Sequence, residues 1–200
     1  MAMSVHPALL ALVRELTASK RPDFAALAVA RHSVRAMADT LASGVDPDSE
    51  HPNGGRLLHS EDLTVDVVRL LITAGADIEA PHYGACLRTP LFFATQPGVA
   101  TLLVQNGADL EARDMDHLTP LMFNAAYNEP LVVAELLALG ADDQALDKAG
   151  LDLLDHASLH LLPHDYTHME AIVKTHRAQI KRQKLSALLG NHPPPARPLL

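Results

Sequence analysis

Tryptophan is missing from this 200-residue chain, and Phe, Tyr and Trp together supply only 4% of it. The core therefore has to be built from Leu, Ala, Val and Ile, a mixture that favours helices over a β-sandwich. The single cysteine, Cys86, has no partner in the chain, so no internal disulfide is available and a reducing compartment, the cytoplasm, is expected. No apolar stretch approaches the roughly 18 residues of a membrane span. Met1-Ala-Met-Ser-Val-His-Pro7 has no charged leader ahead of an apolar run, so no export signal is expected. Positive charge is scarce as well: 16 Lys and Arg stand against 24 Asp and Glu, a net charge of −8. That balance repels phosphate backbones and anionic lipid, which argues against nucleic acid and membranes as partners. Also missing are His-Glu-x-x-His, Gly-x-Ser-x-Gly, a phosphate-cradling Gly-rich loop and Cys-x-x-Cys. An enzyme reading has no residue to stand on, and no cofactor is expected. What is abundant is apolar content, 48%, enough to bury a core.

The abundance is periodic. Gly44-Val-Asp46, Gly75-Ala-Asp77, Gly107-Ala-Asp109 and Gly140-Ala-Asp142 follow one another at 31, 32 and 33 residues. Ahead of the last three lie Val67-Val68-x-Leu70-Leu71-Ile72, Val99-Ala100-x-Leu102-Leu103-Val104 and Val132-Val133-x-Glu135-Leu136-Leu137, each in the same phase. A second marker precedes these blocks, Thr89-Pro90-Leu91 and Thr119-Pro120-Leu121. Thr can cap a helix start, and Pro at the first helical position surrenders an N–H that had no partner. Glycine in the left-handed region can close the second helix. One unit thus predicts a cap, a short helix, a turn, a longer helix, a Gly stop and an extended finger such as 109–114.

These markers together resemble the ankyrin repeat, over about Val34 to Ala157. The implied fold is an all-α solenoid of helix–turn–helix units with hairpin or loop fingers and degenerate helical caps. We expect one domain over 1–190: a helical cap at 1–33, repeats at 34–157 and capping helices at 158–190. A Pro-rich tail at 191–200 is expected to be disordered. Several departures matter. The family's His after Thr-Pro-Leu is replaced by Phe92 and Met122, which puts the inter-repeat hydrogen bonding it supports in doubt. Thr89 to Gly107 is 18 residues against 21 from Thr119 to Gly140, so the third unit is short, with a tight turn at Gln96-Pro97-Gly98. The fingers at 46–55 and 81–86 read as irregular loops. Pro7 to Thr17 and a start at Pro22 read as cap helices. Asp152 and Leu153 stand where a fifth unit would place Thr and Pro. A last helix is predicted over Thr167 to Leu189, with Met169, Ile172, Val173, Ile180 and Leu188 toward the stack.

The resemblance implies a non-catalytic protein-binding module that uses finger tips and a concave helix face. Transferred position by position, its contact residues are Met115, Asp116, Leu118, Ala126 and Tyr127 in the fourth unit, and Arg88, Thr95 and Gln96 in the third. His82, Tyr83 and Cys86 come from the enlarged loop, and Lys148, Ala149 and Leu151 from the fifth unit. Tyr83, Tyr127 and Met115 are the expected anchors, whereas Phe93 and Phe123 are assigned to packing. Segments 46–50, 77–79, 109–116 and 142–155 hold 14 of the 24 carboxylates, all in fingers or the helix starts after them. Of these, Glu79, Glu111, Asp114, Asp116, Asp143 and Asp147 exceed what the turns need, and an acidic edge suits a basic protein partner, a toxin or an enzyme. The chain alone is expected to be a monomer. Small acidic ankyrin proteins also resemble bacterial immunity proteins that neutralise a secreted toxin; a scaffold or regulator is the alternative.

Three other constellations have a bland reading that we prefer. His156, His160, His164 and His168 recur every four residues and could bind zinc on one continuous helix, but Pro163 interrupts it. No metal site is assigned. Cys86 near His82 and Arg88 could be an activated thiol but lacks catalytic context. Lys174, Arg177, Lys181, Arg182 and Lys184 make the last helix basic, as a solvated helix end commonly is.

Overall fold

A computed structural model describes residues 22–190. The expected helix at Pro7 to Thr17 and the tail at 191–200 lie outside them. Among the described residues, helices follow one another in pairs, and the only strand-like pairing is an isolated antiparallel bridge between His82 and Arg88. The first pair is α1 (Pro22–Ala30) and α2 (Val34–Ala42). A 3₁₀ turn at Leu57–His59 is followed by α3 (Val65–Thr73), and another at Pro90–Phe93 by α4 (Val99–Gln105). Then come α5 (Pro120–Ala126) with α6 (Pro130–Leu139) and α7 (Leu153–His160) with α8 (Pro163–Gly190). Five units result.

First elements pack on first elements and second helices on second helices: α5 lies on α7 and on the Pro90–Phe93 turn, α2 on α3, α3 on α4, α4 on α6, and α6 on α8. This is the two-layer stack of an all-α ankyrin solenoid. One continuous core runs through it, from Leu27 and Met37 through Leu57, Leu71, Leu91, Leu103, Leu121 and Leu136 to Leu153, Met169 and Val173, all essentially inaccessible. Each such side chain gains roughly 1.5–3 kcal/mol by burial. No unit can hide its own leucines without the next, so stability is collective.

The sequence markers act as chemistry says they should, with instructive exceptions. Thr119 Oγ1 accepts from Met122 N–H at 3.2 Å, capping α5. Asp152 caps α7 in a reciprocal box with Asp155. Thr89 does not cap: its unit opens with a single 3₁₀ turn, and the buried Thr89 hydroxyl oxygen has no hydrogen-bond partner among the described residues. Gly44, Gly75, Gly107 and Gly140 leave the second helices at φ between 89° and 104°, where a Cβ is costly.

The shortness of the third unit is compensated from its neighbour. Its second helix starts at Gly98 (φ 86°), which has no side chain to cap α4. Glu135 of α6, standing where the second and third units have Leu70 and Leu102, reaches back to do so. Its carboxylate accepts from Gly98 N–H at 2.9 Å and from Thr101 N–H and Oγ1–H at 2.6 Å.

Two expectations about α8 are corrected. The helix starts at Pro163, four residues before Thr167, because proline is well placed in a first helical turn. Leu188 is 70% exposed and does not face the stack. Met169 and Val173 are buried and Ile172 and Ile180 partly so, as predicted.

Candidate functional site

The fingers form a repeating ladder of carboxylates. Within each, the Asp of the Gly-x-Asp exit accepts from the N–H two residues on: Asp46 from Asp48, Asp77 from Glu79, Asp109 from Glu111, and Asp142 from Gln144, at 2.9–3.0 Å. The residue two positions on then crosses to the next unit. Asp48 accepts from Asp77 N–H at 3.0 Å, Glu79 from Asp109 N–H at 2.9 Å and Glu111 from Asp142 N–H at 2.8 Å. The rungs end at Gln144: the next Gly-x-Asp, Gly150-Leu151-Asp152, leads into a first helix, where Asp152 is the cap. Burial pushes the Glu79 and Glu111 carboxyls above their ordinary values, a cost that the backbone N–H bonds partly offset. Glu79 and Glu111 are therefore parts of the frame, each with one carboxylate oxygen engaged by the next unit.

Further out, Asp114 closes the fourth unit's finger. Its Oδ1 accepts from Asp116 and Leu118 N–H at 2.9 Å, while Oδ2 accepts from Arg88 Nε–H of the preceding unit, also at 2.9 Å. The Asp114 side chain is wholly inaccessible. It cannot meet a partner as the acidic-edge reading expected, and what replaces contact is a link between two fingers. Asp147 repeats the arrangement in the fifth unit, accepting from Ala149 and Leu151 N–H and pairing with His156 Nε2 at 3.0 Å. Burial alone would raise the Asp147 carboxyl; the N–H bonds of Leu151 and Ala149 and the His156 contact outweigh it and hold it below its ordinary value. Asp143 is engaged by Arg177 of α8. Of the six surplus carboxylates, Asp116 is exposed with no carboxylate contact described.

The remaining transferred residues fall into two groups. Tyr83, Met115 and Tyr127 stand out, at 65%, 55% and 65% exposure. Gln96, Asp116 and Lys148 are also exposed. Lys148 ties its finger to the previous one, its Nζ donating to Met115 O and its N–H to Asp116 O. Leu118, Ala126, Leu151 and Cys86 are half-buried, and Thr95 is tied through its hydroxyl to Glu61 O. His82 is buried, folded under the enlarged loop, where its Nδ1 accepts from Gly84 N–H at 3.1 Å. That loop interlocks with the one at 51–55: Tyr83 N–H donates to Gly54 O, and a Cβ on Gly84 would stand 2.1 Å from Asn53 O.

Between these exposed residues runs a track of rings that sequence reasoning dispersed. Tyr127 lies 4.4 Å from Phe123, Phe123 6.2 Å from Phe93, and Phe93 5.5 Å from His59 and 5.8 Å from His82, by ring centroids. Arg88 sets its Cζ 4.3 Å from the Phe123 centroid. Phe123 is buried, as its assignment to packing requires, but Phe93 stays half-exposed. His59 was missed altogether. It follows Arg56-Leu57-Leu58 at the place of the family's His, accepts from Arg56 N–H at 2.9 Å and donates Nε2–H to Ala80 O at 2.9 Å. The inter-unit bonding that seemed lost with Phe92 and Met122 is thus made by His59, and by Asn124, which donates to Phe92 O and Pro120 O. The signal available was Leu-His followed 16 residues later by Gly75.

The four histidines at 156–168 divide between two helices: His156 and His160 stack on α7, 6.5 Å apart, while His164 and His168 lie on α8. Among the described residues, no group of three or more His, Cys, Asp or Glu is placed to hold a metal. Beside Cys86, the Arg88 guanidinium is turned to Asp114 and Phe123. No helix of the described residues is long and apolar enough to cross a membrane.

No curated protein matches the chain significantly. Residues 86–115, from the enlarged loop through α4 to the fourth finger tip, match the family model described as Ankyrin repeat. The chain thus carries an ankyrin repeat over 86–115, and its five paired units and finger ladder, in phase with that match, form an all-α ankyrin solenoid.

Proposed function

We propose that this protein acts by binding another protein, without catalysis, through the first-helix face and finger tips of its third to fifth units. Ankyrin repeats are protein-interaction modules. The observation that carries the reading is the exposure of Tyr127 and Met115 on a frame that cannot relax. Tyr127 sits on the Phe123 ring, and the Met115 backbone is held by Cys86 O through its N–H and by Lys148 Nζ through its carbonyl. Large side chains held in place lose little entropy on binding and concentrate affinity. Tyr83, Gln96, Asp116 and Lys148 are exposed as well, and the Lys148 N–H is bonded to Asp116 O.

A basic partner fits the net charge of −8, and a secreted toxin met by an immunity protein is one partner of that kind. The steering carboxylates under this reading are the exposed ones, Asp116 first, because Glu79, Glu111, Asp114 and Asp147 are committed to the frame. The test is capture from the native host with the full chain as bait, wild type against Tyr127→Ala with Met115→Ala. We expect a stoichiometric protein that the double variant loses. Retention of the same protein by the double variant contradicts the assignment of this surface.

A further inference from the structure

The second and third units are both truncated at the same place. Where the flanking units have full first helices, α1 and α5, these two have single 3₁₀ turns, Leu57–His59 and Pro90–Phe93. Beside these turns the surface carries a shallow, open recess of about 350 Å³ bounded by Arg31, His59, Ser60, Glu61, Asp62 and Phe93. Its base includes the half-exposed Phe93 ring, held edge-on by His59 at an interplanar angle of 86°. The charges around it are unequal. Arg31 is already engaged with Asp62, Nε to Oδ2 at 3.2 Å, which leaves Glu61 with no ion-pair partner among the described residues. Glu129 of the fourth unit lies within electrostatic reach of Glu61 in the second. Burial lifts the Glu129 carboxyl above its ordinary value and the Glu61 charge lifts it further.

A cation delivered beside Glu61 would meet an exposed carboxylate, and an aromatic face next to it would favour a planar one. The protein already uses this combination one unit away. There the Arg88 guanidinium lies against Phe123 with Asp114 as its carboxylate. The recess carries the ring and Glu61, and the guanidinium that bounds it, that of Arg31, is engaged with Asp62.

We propose that the recess beside the truncated helices receives an arginine side chain of the protein partner, its guanidinium against Phe93 and toward Glu61. The inference rests on the first-helix face being the binding surface, and it names the chemical group that this part of the face selects.

The test is an NMR titration of the full ¹⁵N-labelled chain with a blocked Gly-Arg-Gly-Arg-Gly peptide, with the citrulline peptide as neutral control. We expect amide shifts centred on Ser60, Glu61, Phe93 and Thr95, and none with citrulline. Glu61→Gln with Glu129→Gln should weaken binding about five-fold, while the equally charged Asp39→Asn with Asp66→Asn, on the outer helices, should change it less than about two-fold. Equal weakening by both double variants, binding of the citrulline peptide, or shifts confined to the fingers would overturn the proposal. Absence of any shift would overturn it too. Partner capture, and its loss in Tyr127→Ala with Met115→Ala, would still stand or fall separately.

Discussion

Arg88 of the third unit and Asp114 of the fourth are joined Nε to Oδ2 at 2.9 Å, and the same guanidinium rests on Phe123. Asp114 thereby ties finger to finger while its other oxygen closes its own turn. Asp114→Ala leaves two N–H groups and a largely buried cation without their acceptor, so it should cost about 3 kcal/mol. Asp114→Asn, which keeps an acceptor for the turn, should cost less. Urea denaturation followed by circular dichroism reads the difference; an Asp114→Ala midpoint equal to wild type would mean the link carries no stability.

Glu135→Leu would bring the fourth unit closer to the pattern of the second and third, yet it should destabilise. Glu135 supplies the only side-chain acceptor described at the start of α4, where Gly98 can offer none. Losing it should cost about 1–2 kcal/mol, the worth of a cap. A gain in melting temperature, as consensus replacement usually brings, would contradict this role.

How much was legible follows the same line. The Gly-x-Asp period, the Val–Leu blocks and Thr-Pro-Leu identified the fold because each encodes a local backbone demand that one unit states by itself. Asp114 and Glu111 were read as surplus charge, and Glu135 passed as part of its Val–Leu block, because their partners lie 26–37 residues away, in a neighbouring unit. The ring track was broken up for a similar reason: Phe93, Phe123 and Tyr127 become neighbours only through stacking. His59 went unseen because Arg56 and Leu57 stand where Thr and Pro would have announced it. Tyr83, Met115 and Tyr127 were legible as exposed because finger tips and first-helix ends are fixed by the repeat register.

The finger ladder should show in amide exchange. Asp77, Asp109 and Asp142 donate their N–H groups to carboxylates of the preceding unit, although these aspartates are themselves exposed. Their exchange should be slowed, and Glu111→Ala should release Asp142 selectively and cost about 1 kcal/mol, whereas Glu111→Gln should nearly preserve both. Unprotected amides at these three positions would remove the ladder from the account.

Mild acid should loosen the second and third units. Burial pushes both His59 and His82 below the ordinary value of 6.5, and the neighbouring charges of His82 and Arg56 on His59, and of His51 on His82, act in the same direction. The unfolded chain takes up these protons first, so their contribution is complete above about pH 6.5 and is lost as pH falls through the lowered values. Glu79 and Glu111, pushed upward, act in the opposite sense: the folded state takes up their protons first, so stability is gained as pH falls through their raised values toward 4.5. Thermal melts between about pH 7 and 5.5 should therefore show falling stability. His82→Gln should flatten that slope, and an unchanged slope would count against it.

The central claim is that recognition is spread over finger tips and first helices on a frame the carboxylates hold. Hydrogen–deuterium exchange of the chain, free and bound to its captured protein partner, tests it most directly. The account predicts added protection at 81–96, 113–127 and 146–151, with α3, α4 and α6 unchanged. Protection confined to those outer helices would contradict it.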